Sequence, residues 1–471
     1  MSFTPVIRVL AFALCAVALA MAAPTLLALG QQEPAASTFG LGLFLAVFLA
    51  ACLFAVSTGI PRKRPTRSGF RELILALSLF WLAVPCIAAV PFLGDGFRPD
   101  EAWFEAVAAL TTTGGWLSEP VARATTSGMV YRASLQWLGG LASLATAAAV
   151  FVRPEFVGIQ PPIPPFARGT RDSYLRAFAT ATRTFLPVYA GITGVSVVAF
   201  MATGVAGIEA LSLGLSFIAS GGFVPRPGGI EGYGAPAVTV ASLTMLAGAV
   251  NFVVIARLAL RGRGRFRSGP DPETVAFLAL IAPVGALYWA SLGTFDPSQF
   301  PHQLGNAVSM LSTSGIIIGD APQLTPILVT ATIGGAAVST AGGIKLLRWL
   351  ITFRRAGQEL WQLTHPGGIL KRPRPLLFEF GVWIHTIAFT IVLAGLVLTV
   401  AFFGYELEFA AATAVAVVTN SGPLLAAVDG STADFVLFTA PLRMLLALGM
   451  IAGRLELVLL LLLFDREFWR G

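Results

Sequence analysis

Charge is scarce in this sequence: 12% of its 471 residues are Asp, Glu, Lys or Arg, about half of the roughly 25% usual in soluble domains. Histidine is scarcer still, and its three copies lie far apart, which leaves little basis for a His-based metal or catalytic cluster. The three cysteines, Cys15, Cys52 and Cys86, each sit inside an apolar run. That argues against a disulfide framework, and no Cys/His metal spacing is present. No glycine-rich nucleotide motif follows a strand pattern, and no polar stretch is long enough for a soluble regulatory domain. What remains is 56% hydrophobic, with a mean hydropathy of +0.79. Apolar runs of about 20 residues recur from end to end, the pattern of membrane-spanning helices. The expected fold class is an all-α polytopic membrane protein.

The first thirty residues imitate a secretory signal peptide through Arg8, an apolar centre and "AMAAP". The run is nevertheless long enough to span, and a second span follows at 38–60, so it is read as a retained helix. The net charge of +7 is unevenly placed. Basic blocks at 61–71, 153–183, 257–267 and 345–374 mark the cytoplasmic side by the positive-inside rule, which also puts both termini there. Acidic residues between them, Asp95, Asp100, Glu101, Glu105, Glu119, Glu209, Asp296, Asp320, Glu406, Glu408, Asp429 and Asp434, are then expected to face outward. They serve either to concentrate cations at an entrance or simply to solvate outer loops. Topology accounts for the arginine clusters, so no nucleic-acid footprint is inferred.

Between basic blocks lie four intervals, 71–152, 180–258, 273–352 and 378–466. Each has two apolar pieces long enough to span and a short one between them, near 101–112, 208–219, 302–313 and 406–419. The short pieces suit re-entrant helices. All four end in related strings: "TTTGGW", "IASGGF", "STSGII" and "TNSGPL". Matching Thr/Ser-Gly aligns Gly114, Gly221, Gly315 and Gly422 at near-even spacing. Such parallel repeats predict a pseudo-symmetric bundle about an axis along the membrane normal. The expected organisation is two extra spans at 1–62 and repeats at 63–155, 156–268, 269–372 and 373–471.

Irregular backbone at membrane depth persists only when buried in protein or lining water. Four extended strings around an axis can aim carbonyl oxygens at the centre and replace the hydration shell of a monovalent cation. Glycine supplies the positive-φ geometry, and small hydroxyl side chains leave the lumen open. The candidate filter residues are Thr111, Thr112, Thr113 and Gly114; Ile218, Ala219, Ser220 and Gly221; Ser312, Thr313, Ser314 and Gly315; and Thr419, Asn420, Ser421 and Gly422. The bland alternative is four loops between closely packed helices.

These stretches resemble the Trk/Ktr/HKT superfamily of cation transporters, in particular its bacterial TrkH-type potassium-uptake branch. "WFEAVAALTTTGG" is similar to that family's first pore helix and filter, and "QWLGGL" to the start of the following helix. "GGAAVSTAGGIKLLR" resembles the broken helix of the third repeat and "GRLELVLLLLLF" the closing helix. The resemblance covers essentially the whole chain, including two extra N-terminal spans. It implies K⁺ as the transported ion, since glycine stands at all four matched positions. It also implies a homodimer with one pore per subunit and a separate TrkA-like cytoplasmic subunit that binds nucleotides. The basic segments 257–267 and 345–374 would be its docking surface. No covalent or organic cofactor is expected. Departures from the family pattern are Ile218-Ala219 before the second Ser-Gly, Ile316 and Leu424 after the third and fourth, and Val338 and Ala142 in place of glycines.

In the segment 334–345, Gly334, Gly335, Gly342 and Gly343 with Ser339 and Thr340 interrupt an apolar span ahead of Lys345. Each glycine costs roughly 1 kcal/mol in a helix interior relative to alanine, so the helix is expected to unwind there. By resemblance this is an intramembrane gating loop; on residues alone it also reads as a small-residue packing face. Arg454 lies within an apolar span, where an arginine costs about 2.5–3.5 kcal/mol. It is expected beneath the filter as an electrostatic barrier, with a buried ion pair or snorkelling as the other readings. Glu456 is two positions away and cannot share its helix face. The main functional expectation is K⁺ uptake through an inner-membrane protein. Its rivals are a less selective Na⁺/K⁺ pathway of the same fold and a secondary transporter of another solute. A membrane enzyme would need a cluster of ionisable groups, and His385 with Arg454 alone does not make one.

Overall fold

Backbone placed in hydrocarbon must satisfy its own N–H and C=O groups, and continuous apolar sequence does so as helix. The computed structural model describes residues 3–59, 70–117, 125–151, 174–226, 228–259, 271–365, 377–429, 435–455, 462–463 and 465–470. Among the described residues the protein is all-helical. Among these residues six helices are long and apolar enough to cross a membrane: Phe3–Gly30, Ala36–Gly59, Arg71–Asp95, Leu175–Ala202, Pro272–Ser291 and Gly381–Phe402. One further pair, Ala235–Ala249 and Phe252–Ala259, is bent by 99° at its break and is apolar enough to make a seventh span only if the two helices are taken together.

The first two helices, α1 (Phe3–Gly30) and α2 (Ala36–Gly59), pack along each other. Helix α1 also lies against α3 (Phe70–Ala88) and α5 (Thr126–Phe151), so the N-terminal segment is part of the bundle. The remaining helices repeat one unit of long helix, short helix and long helix. The short helices are α4 (Pro99–Leu110), α7 (Gly207–Ile218), α11 (Phe300–Leu311) and α15 (Leu407–Val418), each of 12 residues. Their leading long helices are α3, α6 (Tyr174–Ala202), α10 (Pro272–Ser291) and α14 (Leu377–Phe402). At 1.5 Å per residue a 12-residue helix covers only about 18 Å. These helices therefore end near the middle of the bundle, at its most buried point.

The trailing helices differ. Helix α5 runs unbroken for 26 residues. Helix α8 (Ala235–Ala249) stops and α9 (Phe252–Ala259) leaves at the 99° bend. Helix α12 (Leu324–Ile333) is separated from α13 (Leu346–Thr364) by 334–345. Helix α16 (Ala440–Arg454) ends at the arginine itself. Each trailing helix packs on the short helix of the next unit: α5 on α7, α8 on α11, α12 on α15, and α16 back on α4. That last contact closes four sequential units into a ring. The four unit boundaries expected between 62 and 373, most of the basic block 61–71, Glu119, Asp434 and Glu456 lie outside the described residues.

Close approach between trailing and short helices depends on glycine. A Cβ on Gly139, Gly248 or Gly453 would run into the carbonyl of the last helical residue of its own short helix, Leu110, Ile218 and Val418 respectively. Gly139→Ala is expected to destabilise the bundle by about 1–3 kcal/mol through overpacking. Gly191→Ala, where a Cβ meets nothing within 4 Å, should be neutral or slightly stabilising. Thermal unfolding of the two purified variants against the parent checks this pair.

Candidate functional site

The four short helices end identically. In each, the residue three past the last helical position donates its N–H to the carbonyl five residues back, the 6→1 bond of a Schellman turn: Thr113 to Ala108 at 2.9 Å, Gly221 to Ser216 at 2.9 Å, Ser314 to Ser309 at 3.0 Å and Ser421 to Ala416 at 2.8 Å. Such turns need a left-handed residue, normally glycine. Here the position is held by Thr112, Ser220, Thr313 and Asn420, with φ of 57°, 58°, 57° and 56°. A side chain in this region costs about 1–2 kcal/mol, so four strained residues stand at one level of the fold.

This geometry corrects the alignment of the second string. The residue that matches Gly114 (φ 71°) and Gly315 (φ 75°) is Gly222 (φ 63°), not Gly221. The second quartet is Ala219-Ser220-Gly221-Gly222; Ile218 is the last residue of α7 and belongs to the helix. Matching Ser-Gly by letters failed because two glycines stand side by side, and only the backbone shows which takes positive φ. Gly422 has no positive φ; it opens the 3₁₀ turn Gly422–Leu425, with Pro423 as its second residue.

The four strings form a closed ring. A Cβ on Gly114 would collide with the Gly221 carbonyl oxygen, and one on Gly222 with that of Ser314. On Gly315 it would come within 2.8 Å of the Ser421 oxygen, and on Gly422 within 2.7 Å of the Thr113 oxygen. Each glycine thus seats on the carbonyl that precedes the corresponding glycine of the next unit. Gly422 N–H also donates to Thr113 O at 2.6 Å, joining the last unit to the first. The C-terminal ends of the four short helices converge on this ring, bringing the negative ends of their dipoles to it, about half an elementary charge each.

Side chains behind the ring hold its shape. Hydroxyl pairs flank the strained residue in three units: Thr111 with Thr113 at 2.7 Å, Ser312 with Ser314 at 3.0 Å and Thr419 with Ser421 at 2.6 Å. The outgoing backbone is latched in the first and third units from the same position of the short helix. Glu105 accepts from Leu117 N–H at 2.8 Å, and Asn306 accepts from Ile318 N–H at 2.7 Å while donating to Ile318 O at 2.9 Å. Arg132 donates to the other Glu105 oxygen at 3.0 Å and lies over the Phe92 and Phe97 rings. Glu105, expected among the outward-facing loop acids, is instead 1% exposed inside α4, because its carboxylate is taken up by Leu117 N–H and Arg132. Asn306 had no role from sequence; the matching position of the two residues in the aligned helices was the available signal. At the exposed start of α4, Arg98 donates to Asp100 at 2.8 and 3.1 Å and holds its carboxyl below the ordinary carboxylate range.

Beneath the ring lies the buried segment 334–345. It is tied to two of the strained residues: Thr340 and Ser220 share a hydroxyl bond of 2.8 Å, and Gly342 N–H donates to Thr313 Oγ1 at 2.7 Å. Thr340 also donates to the carbonyls of Ile218 and Gly248, each at 3.0 Å. Glu273, at the start of α10, accepts from Ala337 N–H at 2.6 Å and from Asn251 at 3.1 Å. The breaks of the second and third trailing helices therefore share one carboxylate. The segment ends at Lys345, φ 79°, whose ammonium donates to Ala341 O.

Arg454 is 7% exposed. Its Nε donates to Thr111 O at 2.5 Å and its NH1 to Thr340 O at 2.8 Å, so it bridges the end of α4 and the segment 334–345. Arg454, Lys345 and His385 line one small cavity with Ser143, Thr146, Gly342, Gly343 and Gly453. Three basic groups meet there with no carboxylate among the described lining residues. Sequence reading left His385 without a role; folding brings it from α14 to this cavity.

Glu105→Ala removes the carboxylate from a buried arginine. It is expected to cost about 3–5 kcal/mol, and a Glu105→Leu/Arg132→Met pair much less. Thermal unfolding of single and double variants reads the difference.

No protein-family model matches the chain. Among curated proteins it is 27% identical over 496 residues to the Trk system potassium uptake protein TrkH of Escherichia coli K12, covering 100% of both chains. It is 27% identical over 493 residues to TrkH of Halomonas elongata, again covering 100% of both. With TrkG of Escherichia coli K12 the identity is 28% over 491 residues, 96% of each chain. Among solved structures, the potassium transporter TrkH of Vibrio parahaemolyticus superposes with a TM-score of 0.84 at 25% identity over 100% of both chains. The chain is therefore a homologue, along its whole length and in its fold, of the Trk system potassium uptake proteins.

Proposed function

We propose that this protein carries K⁺ into a bacterial cell across the cytoplasmic membrane, through the ring formed by Thr111–Gly114, Ala219–Gly222, Ser312–Gly315 and Thr419–Gly422. The observation that carries the reading is the closed ring itself, four carbonyls seated on four glycines where four helix C-termini converge. Carbonyl oxygens and negative helix ends favour a cation, and no acid–base constellation of an enzyme competes for the site. The names of the full-length relatives supply the ion. K⁺ is the transported substrate, and the chain needs no organic cofactor.

The segment 334–345 acts as the gate. Arg454 and Lys345 place positive charge directly under the ring, with the His385 ring beside them in the same cavity, opposing the exit of a cation until the segment moves. Movement is driven by a TrkA-like, nucleotide-binding cytoplasmic subunit that docks on the basic segments near 257–267 and 345–374. The working unit is a homodimer with a pore in each subunit, and both termini face the cytoplasm. A less selective Na⁺/K⁺ pathway is favoured by one feature, the second unit's lack of the hydroxyl pair present in the other three.

Growth of K⁺-uptake-deficient bacteria at low K⁺, with the regulatory subunit supplied, tests the main reading. The parent chain should restore growth and Gly222→Ala should not, because its Cβ meets the Ser314 carbonyl at a positive φ. No rescue by the parent would sink the proposal. Arg454→Gln should raise K⁺ flux in the absence of the regulatory subunit, measured in proteoliposomes. Unchanged flux would remove Arg454 from the gate.

A further inference from the structure

The second unit of the ring lacks what the other three share. Its residues flanking the strained Ser220 are Ala219 and Gly221, so neither member of the hydroxyl pair is present. Gly221 is not there for its backbone: it has no positive φ, whereas Gly222 beside it has φ 63°. The space where its Cβ would go is occupied instead. The Gln136 side chain fills it, with Nε2 at 2.8 Å and Cδ and Oε1 closer still to the Cβ position. Gln136 is 2% exposed, and its Nε2 donates to the Gly221 carbonyl oxygen at 3.1 Å.

That carbonyl is a member of the ring, the one on which Gly114 seats. Gln136 comes from α5, the trailing helix of the first unit, three residues before Gly139. The residues three before Gly248 and Gly453 in the second and fourth units are Met245 and Met450, which are apolar. The exchange is complementary: Thr or Ser in the ring goes with an apolar residue on the trailing helix, and glycine in the ring goes with an amide. Two consecutive glycines make Gly221-Gly222 the softest stretch of the ring, and the amide is the restraint that replaces the missing side chains.

We propose that Gln136 is a specificity-determining residue of the ion filter. Its amide holds the Gly221 carbonyl at the spacing that suits K⁺ and keeps it from closing on the smaller Na⁺. The inference rests on the reading of the ring as a K⁺ filter. A single net hydrogen bond corresponds to a factor of up to about ten in an equilibrium constant.

The test uses the purified full-length chain. Its thermal stabilisation is titrated with KCl and with NaCl at fixed ionic strength, and the ratio of apparent affinities is the readout. Gln136→Leu keeps the bulk and removes the donor, and the K⁺/Na⁺ ratio is expected to fall about five- to tenfold. Gly221→Ser alone should abolish K⁺-dependent stabilisation through collision with Gln136, and Gln136→Ala combined with Gly221→Ser should restore it. A ratio in Gln136→Leu within twofold of a K⁺-selective parent would overturn the proposal. So would Gly221→Ser behaving as the parent does, and this arm decides the matter if Gln136→Leu does not fold. A parent stabilised equally by both ions, and unable to restore growth at low K⁺, would instead refute the filter reading beneath it. A merely structural Gln136 would lower the unfolding temperature in both salts alike and leave the ratio unchanged.

Discussion

The contact on which the rest depends is a glycine Cα lying against a carbonyl oxygen, made four times around one axis. No side chain fits at these points, so the units approach as bare backbone, and the carbonyls are held by their neighbours' main chain. Such irregular backbone would be prohibitively costly if exposed to hydrocarbon. The long helices, the two extra N-terminal spans and the trailing helices that each cover the next unit's short helix enclose it completely. The architecture is the means by which four short stretches of non-helical chain exist at membrane depth.

Strain is concentrated at the same level. Thr112, Ser220, Thr313 and Asn420 occupy a conformation that glycine adopts at no steric cost. Their side chains explain why glycine does not stand there at three of the positions. Ser220 and Thr313 bond to the segment 334–345, and Asn420 donates to Thr113 Oγ1 at 2.9 Å and to Met450 O at 3.0 Å. Ring and underlying segment are consequently one hydrogen-bonded body, with Arg454 spanning both. Displacing the segment removes partners from two of the four strained residues. In the proposed mechanism, opening the gate therefore alters the restraint on the filter as well.

The departures from fourfold symmetry are paired with compensations. Repeats one and three latch their outgoing backbone from the short helix through Glu105 and Asn306. The fourth leaves its ring through a 3₁₀ turn beginning at Gly422 and Pro423. The second exchanges hydroxyls for the amide of Gln136. Each solution ties the outgoing chain or the ring by a different route, so the sequences of the four units diverge while the turns that close their short helices coincide.

Several features were legible in the letters alone. Long apolar runs must be helices, half-length ones cannot span, and repeated small polar strings after them point to re-entrant structure, because backbone hydrogen bonding in hydrocarbon permits little else. The interruption at 334–345 was equally plain, since four glycines do not sustain a helix. Tertiary structure alone decided the register of the second string, because φ at Gly222 depends on the carbonyl it packs against in the next unit. It alone decided that Glu105, Glu273, His385 and Gln136 belong to the site. Their partners are distant in sequence, and an isolated polar residue in an apolar run carries no record of which buried group it satisfies.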